Sequence, residues 1–228
     1  MELEERPSRD EWSAKHVRTE MSSKLRIGLD FDNTIITYDA VFLAAARKWG
    51  LVGRDFTGGK QAIRDTIRLL PEGELSWQKL QGQVYGKGLA QAEMVEGVDA
   101  FLRRCRENNV PVIIVSHKTE FGHHDPDRVN LRDAARAWMA KHGFFQAAGY
   151  GIVPNDVYFE NTRQDKIARI AQVGCTHFID DLEEVLSDPT FPSGVERILF
   201  SDVAPESASC IVCPTWRHIE ERVFRAGR

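Results

Sequence analysis

The run Leu25-Arg26-Ile27-Gly28-Leu29 ends in Asp30-Phe31-Asp32-Asn33-Thr34, so two carboxylates stand two residues apart just past an apolar stretch. A second apolar run, Val110 to Val115, ends in Ser116-His117-Lys118. Another, Thr176 to Ile179, ends in Asp180-Asp181. Thr162-Arg163-Gln164-Asp165 has capping-box spacing and puts Lys166 in the first turn of a helix. If the apolar runs are parallel neighbours in a sheet, their carboxyl ends carry these groups to one edge, where such sheets bind ligands. Carboxylates that close repel one another, and their pKa values split. A divalent cation relieves the repulsion, and oxygen donors of this kind suit Mg²⁺. Mg²⁺ shares its shell with phosphate oxygens, while a lysine and a serine can hold the others. The chemistry is then phosphoryl transfer, with one carboxylate able to attack phosphorus. Each group also has a plain structural use. Asp side chains close turns, the acidic pair can cap a helix after it, and most lysines are solvated.

The elements that must position these groups follow from periodicity. Val157-Tyr158-Phe159, Glu196 to Phe200 and Cys210 to Cys213 read as further strands. Helical spacing joins Phe42, Ala45, Ala46 and Trp49; Ile63, Thr66, Ile67 and Leu70; Val98, Phe101, Leu102 and Cys105; and Leu131, Ala134, Ala135, Trp138 and Met139. Trp216 to Arg225 reads as a closing helix. Strands alternating with helices predict an α/β fold, with a central parallel sheet flanked by helices. The helical stretch between the first two strands reads as an inserted module. The organisation is an N-terminal arm over 1–24, an α/β core over 25–35 and 94–228, and a helical insert over 36–93.

Composition narrows the function class. The chain has 228 residues and a net charge of −4, which argues against a polybasic nucleic-acid or membrane surface. Its apolar runs are far shorter than the ~18 residues that span a bilayer. The charged N-terminus lacks the apolar stretch of a secretory signal. Four cysteines in a chain this long read as a reducing, cytoplasmic protein. The aromatic content could serve a homodimer patch or simply fill two cores.

The ordered set of motifs resembles the haloacid dehalogenase (HAD) superfamily of hydrolases. Its first motif, Asp-x-Asp-x-Thr, is met by Asp30, Asp32 and Thr34; its second by Ser116; its third by Lys166; its fourth by Asp180-Asp181. The insert resembles that family's helical cap, on a Rossmann-like core. The resemblance implies Asp30 as nucleophile and Asp32 as general acid, then base. Asp30, the backbone carbonyl of Asp32 and Asp181 would hold Mg²⁺, with Asp180 behind them. Ser116 and Lys166 would hold the phosphoryl group, and Thr34, His117 and Lys118 would contact substrate. An Asp at position 32 implies a phosphatase or phosphomutase rather than a dehalogenase. The expected partner is a small phosphorylated metabolite, such as a sugar phosphate. A catalytically silent phosphate-binding protein and a phospho-acceptor signalling domain are the competing classes.

Some features stand outside the motifs. Trp77 to Lys87, Lys60, Arg64 and Arg163 are candidate specificity residues against a reading as ordinary helix surface. His123-His124-Asp125 could form a lid over the substrate mouth. Cys210-x-x-Cys213 resembles half a metal motif, but no second such pair exists, and buried strand cysteines are the preferred reading.

Overall fold

The computed structural model describes residues 25–122, 125, 127–205 and 209–225. The predicted arm over 1–24, and His123 and His124 of the predicted lid, lie outside the described residues.

Six strands form one sheet: β1 (Ile27–Leu29), β4 (Val112–His117), β5 (Val157–Glu160), β6 (His177–Asp180), β7 (Glu196–Phe200) and β8 (Ile211–Cys213). Their order is β5-β4-β1-β6-β7-β8, and every adjacent pair is parallel. β1 lies in the middle, with Leu29 in register with Ile114 on one side and Ile179 on the other. Pairing outlasts the strand, since the Asp30 N–H donates to the Ile179 carbonyl at 2.9 Å. The ends of β1, β4 and β6 are therefore adjacent. Chain order reverses about β1, and sheets of this kind bind ligands at the edge where that happens.

Both faces of the sheet are covered. Alternation sends Ile113 and Val115 to one face, with Ile167, Ile170 and Phe178. Ile114, Leu29 and Ile179 line the other, against Phe101, Trp138 and Trp216. Gly28 admits the close approach of β6: a Cβ there would lie 2.4 Å from the Phe178 ring.

The helices outside the insert are α4 (Val98–Glu107), α5 (Leu131–Lys141), α6 (Arg163–Val173), the short α7 (Glu183–Leu186) and α8 (Trp216–Arg225). Between β1 and β4, a two-stranded antiparallel ribbon, β2 (Ile36–Thr37) with β3 (Glu93–Met94), forms a stem. It brackets α1 (Asp39–Lys48), α2 (Lys60–Arg68), α3 (Gly73–Tyr85) and a 3₁₀ turn, Lys87–Gln91. Phe42 stacks on Trp77 at 5.2 Å between centroids, and Ile63, Ile67, Leu80 and Val84 are buried around them. This apolar cluster is continuous with the sheet face that carries Leu29 and Ile114.

Two residues expected on buried helix faces are not there. Trp49 follows the end of α1 and is 42% exposed, because Gly50 (φ 67°) turns the chain out of the helix. Leu70 follows the end of α2 and is 39% exposed; it precedes Pro71, which disfavours helical backbone there. β1 is shorter than the predicted run, and β4 begins after Pro111, which has no N–H to donate. No helix among the described residues is long and apolar enough to cross a membrane.

Candidate active site

The site grows from the turn after β1. Asn33 adopts a left-handed backbone (φ 59°), which Asn tolerates better than most residues. The Ile35 and Ile36 N–H groups both donate to the Phe31 carbonyl, closing the turn. Trp216 Nε1 donates to the Thr34 carbonyl at 3.2 Å, so α8 braces the turn from behind.

Lys166 is positioned by its cap. The Thr162 hydroxyl accepts from the Asp165 N–H at 3.1 Å and starts α6. One turn in, the Lys166 ammonium is buried beneath the sheet edge. Its Nζ lies 2.6 Å from Asp30 Oδ1 and 2.7 Å from Asp180 Oδ2. Burial alone would lower the Lys166 pKa, but Asp180 and Asp30 more than offset it and hold the group firmly charged.

Asp30, Asp180 and Asp181 each offer an oxygen within 4.8 Å of the others. Burial raises Asp30 to about 7 against the pull of Lys166, with Asp180 and Asp32 adding to the rise. Burial likewise raises Asp181 to about 8, helped by Asp30 and Asp180. Asp30 and Asp180 share the buried Lys166 ammonium and Asp181 stands within 4.8 Å of both, an excess of negative charge that a divalent cation would correct. The donor set is all oxygen, as Mg²⁺ requires. Both Asp180 oxygens are engaged, one with Lys166 and one with the Leu182 N–H at 3.0 Å. Asp181 receives a long contact from the Thr34 hydroxyl, 3.4 Å, makes no ion pair among the described residues and keeps an oxygen to offer.

Asp32 stands beside this cluster. The Tyr38 hydroxyl donates to its Oδ1 at 2.5 Å, and Lys118 Nζ reaches Oδ1 at 3.0 Å and Oδ2 at 2.8 Å. The Ser116 hydroxyl is fully buried, with no hydrogen-bond partner among the described residues. An orphaned buried hydroxyl is costly unless a ligand completes it.

Of the residues singled out by sequence, Asp30, Asp32, Lys166, Asp180 and Asp181 converge, and Ser116 ends the adjacent strand. The three expected substrate contacts all have partners within the protein. Alternation along β4 turns His117 away from Ser116, and its Nε2 meets the Asn161 carbonyl at 2.9 Å. Lys118 is spent on Asp32. Thr34 is fully buried and faces Asp181. Tyr38 was not foreseen, since nothing in its local sequence marks it as a partner of Asp32. Asp125 orders its own loop by accepting from the Asp127 and Val129 N–H groups. The four cysteines are free; Cys213 is buried in β8, while Cys210 precedes the strand and is half-buried.

The insert overhangs this edge. A cavity of about 650 Å³ is lined by Lys60, Arg64, Trp77, Gln81, Tyr85 and Thr119, among others. A second, of about 870 Å³, is lined by Lys60, Arg64, Asn33 and Asp181, among others. Arg163 is exposed at the start of α6 and lines neither.

No model of a known protein family matches the sequence, and no curated protein matches it. Solved structures do. A HAD hydrolase of family IA, variant 3, from Entamoeba histolytica matches with a TM-score of 0.52 at 11% identity, covering 87% of this chain and 97% of that one. A HAD-superfamily hydrolase of subfamily IA, variant 1, from Geobacter sulfurreducens gives 0.50 at 15% identity, covering 87% and 96%. Protein tyrosine kinase A of Mycobacterium tuberculosis gives 0.57 at 15% identity, covering 88% and 99%. At these identities the likeness is one of architecture: the chain has the fold of the haloacid dehalogenase superfamily.

Proposed function

We propose that the protein is a Mg²⁺-dependent phosphatase that hydrolyses a small phosphorylated metabolite through a phospho-Asp30 intermediate. The observation that carries this reading is the convergence of Asp30, Asp180 and Asp181 within 4.8 Å of one another, the first two on the buried Lys166 ammonium, beside a Ser116 hydroxyl with no hydrogen-bond partner among the described residues.

Asp30, Asp181 and the backbone carbonyl of Asp32 would hold Mg²⁺. The bound ion would neutralise charge on the transferring phosphoryl group. Asp30 attacks phosphorus with one carboxylate oxygen, while Lys166 holds its other side in place. Ser116 donates its free proton to a phosphoryl oxygen. Asp32 gives a proton to the departing oxygen, then takes one from the water that cleaves the acyl phosphate. Tyr38 and Lys118 fix the orientation of Asp32 during both transfers. Asp180 keeps Lys166 in position without touching substrate. The overhanging insert favours a small molecule over a protein surface.

The test is phosphate release from a panel of phosphorylated sugars, nucleotides and organic acids, with Mg²⁺, with EDTA, and with the Asp30→Asn protein as blank. Mg²⁺-dependent release absent from the blank is expected. Transfer of the phosphoryl group to an acceptor, without release, would replace hydrolysis by a mutase or transferase reading.

A further inference from the structure

We infer that Lys60 and Arg64 form a second anion subsite, so that the substrate is a small phosphomonoester carrying a further anionic group. The inference rests on the phosphatase reading and adds a substrate class to it.

Lys60 and Arg64 are one turn apart on α2 and share a face of the helix. Both line both cavities of the cleft, the one running to Asp181 and the one beneath α3. They project from the insert, whereas the reacting phosphoryl group is provided for by Ser116 and Lys166 of the core. Neither cation is committed elsewhere. Lys60 makes no ion pair among the described residues, although its ammonium is drawn towards Asp181, Asp32 and Asp39 across the cleft. Asp39 spends one oxygen on the Lys60 backbone N–H, at 2.9 Å. Arg64 pairs only with the exposed side chain of its neighbour Asp65, a contact of the kind that contributes little. The remaining cation of the row, Arg68, is taken up by Glu74 at 2.6 Å. Burial lowers the Lys60 pKa, and the carboxylates of Asp181, Asp32 and Asp39 offset this only in part.

The same walls disfavour a nucleobase. Trp77 is buried and stacked on Phe42. The Tyr85 ring has Lys60 over one face and packs edge-on with Tyr38 and Phe42. Among the described residues that line the first cavity, both aromatic rings are thus already engaged. Two cations and the Gln81 amide suit a carboxylate or a second phosphate, while Gln78 donates to Glu74 on the same wall.

The experiment compares kcat/KM for compounds matched in length: 2-hydroxyethyl phosphate, 2-phosphoglycolate and ethane-1,2-diol bisphosphate. The wild-type protein is expected to prefer one of the anionic tails by about tenfold or more, the scale of a hydrogen bond to a charged group. The preferred tail decides between carboxylate and phosphate. Lys60→Gln and Arg64→Gln should each reduce that ratio severalfold, chiefly through KM, and Lys60→Arg should retain it. Circular dichroism checks that each variant is folded. Hydrolysis of the neutral-tailed compound with equal or greater efficiency would overturn the inference and leave the phosphatase reading standing. A preference unmoved by either Gln variant would also overturn it. Release from none of the three, with release from uncharged-tail esters of the wider panel, would overturn the inference alone; Mg²⁺-dependent release from no compound of either set would remove both.

Discussion

The Lys118 ammonium spans the Asp32 carboxylate, 3.0 Å from one oxygen and 2.8 Å from the other, while the Tyr38 hydroxyl donates to the first. Lys118 is buried, so this is a fixed clamp rather than a surface ion pair. If Asp32 moves the proton to and from the leaving group, the clamp sets its aim. Lys118→Met should lower kcat by about 10²-fold, the lower range of general acid–base contributions. Tyr38→Phe should lower it by about tenfold. Both losses should shrink on p-nitrophenyl phosphate, whose leaving group needs no proton. Equal losses on alkyl and p-nitrophenyl esters would contradict a role through Asp32.

The two acidic neighbours at the end of β6 should behave differently. Asp180 is tied to Lys166 and the Leu182 N–H, whereas Asp181 makes no ion pair among the described residues and a long contact with Thr34. Asp180→Asn should destabilise the metal-free protein by about 1–3 kcal/mol, since the amide keeps one acceptor oxygen for two buried donors, the Leu182 N–H and Lys166. Asp181→Asn should fold normally and lose the thermal stabilisation that Mg²⁺ gives the wild type. That stabilisation is about 2.7 kcal/mol at a hundredfold excess over Kd. Melting curves with and without Mg²⁺ test both, and an undiminished Mg²⁺ shift in Asp181→Asn would remove Asp181 from the metal site.

The insert shares one apolar cluster with the core, so the two should unfold together. Trp77→Ala removes the ring stacked on Phe42 and should cost about 3–5 kcal/mol. Denaturation followed by tryptophan fluorescence and by circular dichroism should give one coincident transition. Two separated transitions would show the insert to be an independent folding unit.

How far the sequence exposes this molecule depends on which forces are local. β7 and α8 are legible because alternation and helical spacing are written in consecutive residues. Thr162 and Asp165 announce the start of α6 and so place Lys166. Asp30, Ser116 and Asp180 are legible as strand-end residues, and strand ends meet at one edge in any parallel sheet. Lys118 and His117 are harder: strand alternation separates Ser116 from His117, but only the folded turn after β1 shows that Lys118 has Asp32 to bind. Tyr38 and Trp216 reach the site by tertiary packing, 6 and 182 residues from their partners, and no local pattern encodes that. Trp49 and Leu70 mislead because helical spacing continues past the Gly50 and Pro71 signals that end the helices.

The phosphatase reading stands or falls on Asp30 as the carrier of the phosphoryl group. The most direct measurement is rapid acid quench of the enzyme during turnover with Mg²⁺ and its preferred substrate, followed by peptide mass spectrometry. A phosphoryl adduct on Asp30 is predicted, removable by hydroxylamine as an acyl phosphate and absent from the Asp30→Asn protein. Steady turnover with no adduct, together with activity retained by Asp30→Asn, would contradict the account.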